Sequence, residues 1–233
     1  LLLIITFHEG GHYFLAKYHS IRCTLPYYIP FPINFIGTLG AFIKIKEPIT
    51  SRKSMFDIAV SGPLSGFLIA TLFIIIGLPL SKITSIHSIE NQGFVITLGE
   101  SLLFKFLSWV MLPPLKENQD IILHPTALAG WIGYLITALN LIPIGQLDGG
   151  HLIYSLFPKY YKKISYFFYF SLIPLSYFFP GWIGWFILLY FMGIKHPPSV
   201  YFWEPFDFKR KFLGYFTVIL FFFIFTPIPL KIQ

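Results

Sequence analysis

Residues 1–18 read LLLIITFHEGGHYFLAKY, an apolar helical pattern with His8, Glu9 and His12 set into it within one helical turn. Ionisable groups in so apolar a segment are costly and by default functional. Whether the segment sits in a protein core or in a bilayer is decided by the rest of the chain. Its 233 residues are 55% hydrophobic and 20% aromatic but only 12% charged, with a mean hydropathy of +0.70. A soluble domain carries about 25% charged residues, so this chain has too little polar surface for water. With 28 Phe and 5 Trp, disorder is excluded as well. The chain is therefore read as an all-α polytopic membrane protein, a helical transmembrane bundle with crossings of about 20 residues each.

Working outward, residues 24–54 interrupt the helical pattern with Pro26, Pro30, Pro32, Gly37 and Gly40. Phe42, Lys44 and Lys46 alternate there with Ile43 and Ile45, which predicts short strands and a membrane-associated β-segment after the first helix. Residues 56–80 return to helix and hold Gly62 and Gly66 at the small-xxx-small spacing that lets membrane helices approach closely. Residues 81–126 are mixed and read as an extracytoplasmic or interfacial loop region, with a helix over 94–112 lying in the interface. Further spans are expected at 127–142, ended by Pro143, and at 164–179, 182–194 and 212–228. All of 1–233 forms one transmembrane domain, and the first helix is expected to continue upstream because the chain opens on apolar Leu1. It is not read as a signal peptide, since a functional pattern lies inside it.

The net charge of +7 and pI near 9.4 would suggest nucleic acid in a soluble protein. In a membrane chain the same excess marks the cytoplasmic loops, and no nucleic-acid partner is expected. With the loop after the first helix placed inside, only Lys82, Lys105, Lys116 and Lys231 of the 17 Lys and Arg fall outside. The single Cys23 excludes a disulfide within the chain, and nothing near it in sequence activates the thiol.

The sharpest chemical signal is the H-E-x-x-H pattern His8-Glu9-Gly10-Gly11-His12. Four residues on a helix are about 400° of rotation, so both imidazoles face one side and can share a zinc ion, with Glu9 placed to act as general base on water. Chance would produce this pattern in roughly 0.005 chains of such composition. A catalytic zinc needs a third protein ligand and an open position. Asp148, His151, His19, His124 and His196 are the candidates. Asp148 stands out because Pro143, Gly145, Gly149 and Gly150 unwind the backbone around it, and unwound backbone at membrane depth must line protein or a cavity.

HEGGH followed by Asn140-x-x-Pro143-x-x-x-Leu147-Asp148-Gly149-Gly150 resembles the site-2 protease family of intramembrane zinc metalloproteases. GTLGAF at 37–42 is similar to that family's membrane-associated β-segment, SGPLSG at 61–66 to its Gly-Pro helix, and His196-Pro197-Pro198 to an element of its smaller members. The resemblance implies one zinc per chain held by His8, His12 and Asp148, Glu9 as the water-activating base, and Asn140 in substrate or oxyanion stabilisation. It implies a type without PDZ domains, for which 81–126 is too short. It also implies a transmembrane protein as substrate, a multi-pass place in the lipid bilayer, in a bacterial inner (plasma) membrane, and an active site reached from the cytoplasmic side. Two other readings compete: an inactive scaffold that keeps the fold, and a metal or proton transporter. A transporter would show repeated halves with paired broken helices, whereas this chain has a single Asn-x-x-Pro break.

Overall fold

Helix α1 (Leu2–Tyr18) runs along helix α2 (Arg52–Gly77), and α2 also packs against the helices that span 102–111, 125–140, 148–156 and 208–224. The computed structural model describes residues 1–30, 38–85, 96–116, 118–194 and 203–232. Ser51 starts α2 by accepting the backbone N–H of Ser54, which satisfies one of the open donors of the first turn. After α1 comes a short antiparallel pair, β1 (Tyr27–Pro30) and β2 (Thr38–Phe42), in the segment where alternation predicts strands. The expected β-segment of 24–54 is shortened at its end, because α2 already begins at Arg52.

Beyond α2 lie β3 (Lys82–Ser85), β4 (Ile96–Leu98), α3 (Leu102–Met111) and β5 (Gln119–Ile122). Of the helix expected over 94–112, Leu102–Met111 is helical and Ile96–Leu98 pairs as a strand, while 94 and 95 lie outside the described residues; Ser101 caps the helix by accepting from the N–H of Phe104. Helix α4 (Pro125–Asn140) follows and stops where Pro143 has no N–H to offer the carbonyl of Leu139. Then come α5 (Asp148–Leu156), α6 (Tyr161–Phe178), α7 (Gly181–Met192), α8 (Phe208–Ile224) and β6 (Leu230–Ile232). Helix α5 has no counterpart in the sequence reading, because its nine residues are too few for a clear helical period. The strands β3–β5 and β4–β6 form two further antiparallel pairs, so strand structure is not confined to the segment after α1.

The protein is mostly helical around one continuous core. Ile4 of α1, Phe56 and Ile74 of α2, Trp131 and Tyr134 of α4, Leu152 of α5, Trp182 of α7 and Ile224 of α8 all belong to it. Among the described residues one helix, α2, is long and apolar enough to cross a membrane, with a mean hydropathy of 2.1 over its best window. Helix α7, with 12 residues, is only about 18 Å long. Among the described residues, different contacts close the two ends of the helix stack. At one end Asp57 of α2 accepts from His19, just past α1, and from Arg210 of α8. At the other, the β3–β5 and β4–β6 ladders sit beside indole hydrogen bonds from Trp131 to the Gly99 carbonyl and from Trp182 to the Pro227 carbonyl.

Candidate metal centre

The α1–α2 contact puts the two motif histidines against the glycine face of α2. A side chain at Gly62 would run into the imidazole of His12, and one at Gly66 would come within 3.1 Å of His8 Nδ1. From the other helix, a Cβ at Gly11 would lie 2.5 Å from the Ser61 carbonyl. The small residues therefore do more than let two backbones meet: they make the seats in which the rings lie. His8, Glu9 and His12 are all buried. His12 Nδ1 lies 2.8 Å from the Ile58 carbonyl, and a carbonyl can only accept, so this nitrogen carries the proton and Nε2 faces the cavity. Ring orientation by such a backbone acceptor is how ligating histidines are normally held.

Asp148 reaches the same point from across the bundle. Its Oδ2 is 3.3 Å from His8 Nε2 and 3.3 Å from His12 Nε2. The unwound stretch between α4 and α5 makes this possible. Gly145 has φ +55, and side chains at Gly149 and Gly150 would collide with the Leu141 and Gly145 carbonyls. The backbone thus folds tightly under the first turn of α5, where Asp148 is the first helical residue and its negative charge suits the helix N-terminus. The donor set fits zinc. Bonds of about 2.0–2.1 Å at tetrahedral angles place neighbouring donors about 3.3–3.4 Å apart, the separation found between Asp148 Oδ2 and each imidazole.

Asn140 closes α4 with its Nδ2 3.4 Å from His8 Nε2. Glu9 Oε2 accepts the backbone N–H of Ile43, one residue past β2, at 3.0 Å. Together these groups line a cavity of about 330 Å³, shared with Ala41, Ile45, Met55, Ala59, Gln146 and His151. The other third-ligand candidates separate by position. His151 lines the cavity one turn after Asp148. His19 is hydrogen-bonded to Asp57 at 2.8 Å, and His124 caps the start of α4. His196, with the Pro197-Pro198 that follows, and Gly37 of the GTLGAF stretch lie outside the described residues.

A family model, Peptidase family M50, matches residues 1–175, which contain His8, Glu9, His12, Ile43, Asn140 and Asp148. The chain belongs to peptidase family M50. The resemblance to site-2 proteases is borne out by this M50 match and by the relatives. Probable zinc metalloprotease EGY1, chloroplastic, from Oryza sativa subsp. japonica is 33% identical over 168 residues, covering 68% of this chain and 27% of that protein. Probable zinc metalloprotease EGY2, chloroplastic, from Arabidopsis thaliana is 31% identical over 158 residues, 67% of this chain and 28% of that protein. The Arabidopsis thaliana EGY1 protein is 31% identical over 168 residues, 68% of this chain and 29% of its own length. The M50 chain thus spans just over a quarter of the length of these curated relatives. No solved structure matches it. Zinc is the metal that the family implies.

Within this M50 chain two contributions escaped sequence reasoning. Gly62 and Gly66 were legible only as a helix-approach spacing, although their offset of four equals that of His8 and His12 and gives the pairing away once the helices are known to touch. The Ile43 amide carries no sequence signal at all, because any residue has a backbone N–H.

Proposed function

We propose that this chain is a zinc-dependent intramembrane endopeptidase that hydrolyses peptide bonds in or near transmembrane segments of membrane-protein substrates. The observation that carries the reading is the convergence of His8, His12 and Asp148 on one point, with the Glu9 carboxylate in the same cavity. His8, His12 and Asp148 would hold one zinc per chain. Bound there, zinc lowers the pKa of water and polarises the scissile carbonyl. Glu9 accepts the proton of the attacking water and delivers it to the leaving amine, while the Ile43 N–H holds its carboxylate in place. The Asn140 amide steadies the developing oxyanion.

A transmembrane helix hides its carbonyls in hydrogen bonds and must be unwound before attack. The segment after β2 offers a receiving edge. Lys44 and Lys46 bond outward to residues 22–24, through Thr24 N–H to the Lys44 carbonyl and Lys46 N–H to the Arg22 carbonyl, while the Ile43 N–H points inward to Glu9. An unwound substrate added along that inner edge lies beside the metal ligands. Multi-pass membrane placement is supported by the outer surface: Phe167, Phe170 and Tyr177 of α6, Ile187 and Phe191 of α7, and Phe212, Phe216 and Phe222 of α8 are all exposed. Apolar surface on this scale does not face water in a soluble monomer. The lipid bilayer covers it, and the end of the bundle that carries His19, Arg52 and Arg210 faces the cytoplasm. The bacterial plasma membrane expected from the sequence stands beside the chloroplast named for the relatives.

The test is purified chain with metal analysis and a single-pass model membrane protein as probe. Wild type binds about one zinc and cuts. Glu9→Gln keeps zinc but loses turnover by about 10²–10⁴ or more, the effect of a lost general base. Asp148→Ala loses most of the zinc. Zinc retained with no cleavage by wild type means an inactive scaffold, and near wild-type cleavage by Glu9→Gln would remove the water-activating site altogether.

A further inference from the structure

The metal ligand Asp148 opens a helix of only nine residues, about 12 Å long, and the two ends of that helix are held in different ways. At the start, the unwound backbone of residues 141–145 packs under Gly149 and Gly150. At the finish, the last carbonyls are taken by a single side chain from another helix. Arg52, the first residue of α2, donates from Nε to the Ser155 carbonyl at 2.7 Å and from Nη2 to the Leu156 carbonyl at 3.5 Å. Helix ends leave such carbonyls without partners inside the helix, and a guanidinium satisfies two at once in fixed geometry.

Arg52 is itself locked by the segment that leads into α8. Its Nη1 donates to the Glu204 carbonyl at 3.1 Å, and its guanidinium lies over the Phe206 ring at 4.4 Å. The Glu204 carboxylate accepts from the Ser51 hydroxyl at 2.7 Å and from the Lys53 N–H at 3.4 Å, so it grips the start of α2. Phe206 packs edge-on against Phe56, a fully buried residue of α2. Residues 204–206 thus form a strap over Arg52, and they lie past residue 175, where the family match ends.

Resting on the metal centre proposed above, we infer that Arg52 is a positioning residue for Asp148, and that the 204–206 strap sets its pose. Helix α2 seats both histidine rings and presents the Ile58 carbonyl to His12, while α5 presents Asp148. Arg52 joins the two helices at the end of α5 opposite Gly149 and Gly150. Freed at that end, α5 swinging by ~3 Å over its ~12 Å length turns by about 14°, within the 10–20° misorientation at which a built metal site degrades.

The experiment uses the full chain in detergent micelles, with zinc affinity from chelator competition and the visible ligand-field spectrum of the Co²⁺-loaded protein. Arg52→Ala is expected to weaken zinc about 10–100-fold, the range for groups that orient ligands, and to shift the Co²⁺ spectrum. Arg52→Lys recovers part of the affinity, because an ammonium can serve one carbonyl but not the fork. Glu204→Gln and Phe206→Leu, which keep Arg52, move zinc affinity in the same direction by smaller factors. Unchanged zinc affinity and Co²⁺ spectrum in Arg52→Ala, with only a lower melting temperature, overturns the inference. If Arg52→Ala does not fold, unchanged zinc affinity in both strap variants overturns it. Zinc bound as tightly by Asp148→Ala as by wild type breaks the metal centre itself, a separate failure.

Discussion

The two ends of the helix stack are closed by different chemistry. At the basic end the closures are charged side chains reaching between helices: His19 and Arg210 on Asp57, Arg52 on the α5 carbonyls, Glu204 on the start of α2. At the opposite end they are backbone ladders, β3–β5 and β4–β6, and the indoles of Trp131 and Trp182 on carbonyl oxygens. The difference matters because the proposed metal centre is held by neighbours of the first set. Asp57 precedes Ile58, whose carbonyl orients His12, and Arg52 ends the helix that starts with Asp148. The proposed site therefore lies at the end held by separate side-chain contacts, each of which a single substitution removes.

Three variants break or sharpen this contrast, in falling order of effect. Gly62→Leu drives a side chain into the space of the His12 ring, so zinc binding is expected to be abolished in metal analysis of folded protein. Retained zinc would show that α1 and α2 separate more freely than their packing implies. Next comes a matched pair. Asp57→Asn at the basic end and Trp131→Phe at the ladder end each remove a bonded group and are each expected to cost about 1–3 kcal/mol in thermal unfolding. Only Asp57→Asn should also weaken zinc, through Ile58 and His12. Equal zinc affinity in the two variants would dissolve the distinction between the ends.

The smallest effect is one of pH. The Ser51 hydroxyl hydrogen bond holds the Glu204 carboxyl below its ordinary value of about 4.5. A carboxylate with a lowered folded value contributes stability that is present above its ordinary value and lost as pH falls through the lowered one. Thermal unfolding followed downward from about pH 6 should therefore show a small acid-side loss that Glu204→Gln lacks. The same loss in Glu204→Gln would assign it to other carboxylates.

The helices were legible because composition and periodicity are local properties. LLLIITFHEGGHYFLAKY, the apolar run of α2 and the proline stop after Asn140 each declare themselves in a few turns of sequence, and the H-E-x-x-H spacing makes two imidazoles share a face wherever that helix goes. Asp148 could be ranked first among the third-ligand candidates because prolines and glycines announce an unwound backbone. What depends on contact between distant segments stayed hidden. Nothing local says that Gly62 and Gly66 receive rings from α1, that the Ile43 amide meets Glu9, that β6 pairs with β4, or that residues 204–206 strap Arg52 to α5. By itself the sequence determined which residues are the candidates for holding a metal and activating water, His8, Glu9, His12 and Asp148. The tertiary structure decided that the Asp148 carboxylate comes within 3.3 Å of both motif imidazoles, because that separation is set by how closely α1, α2 and α5 pack, and no single helix encodes it.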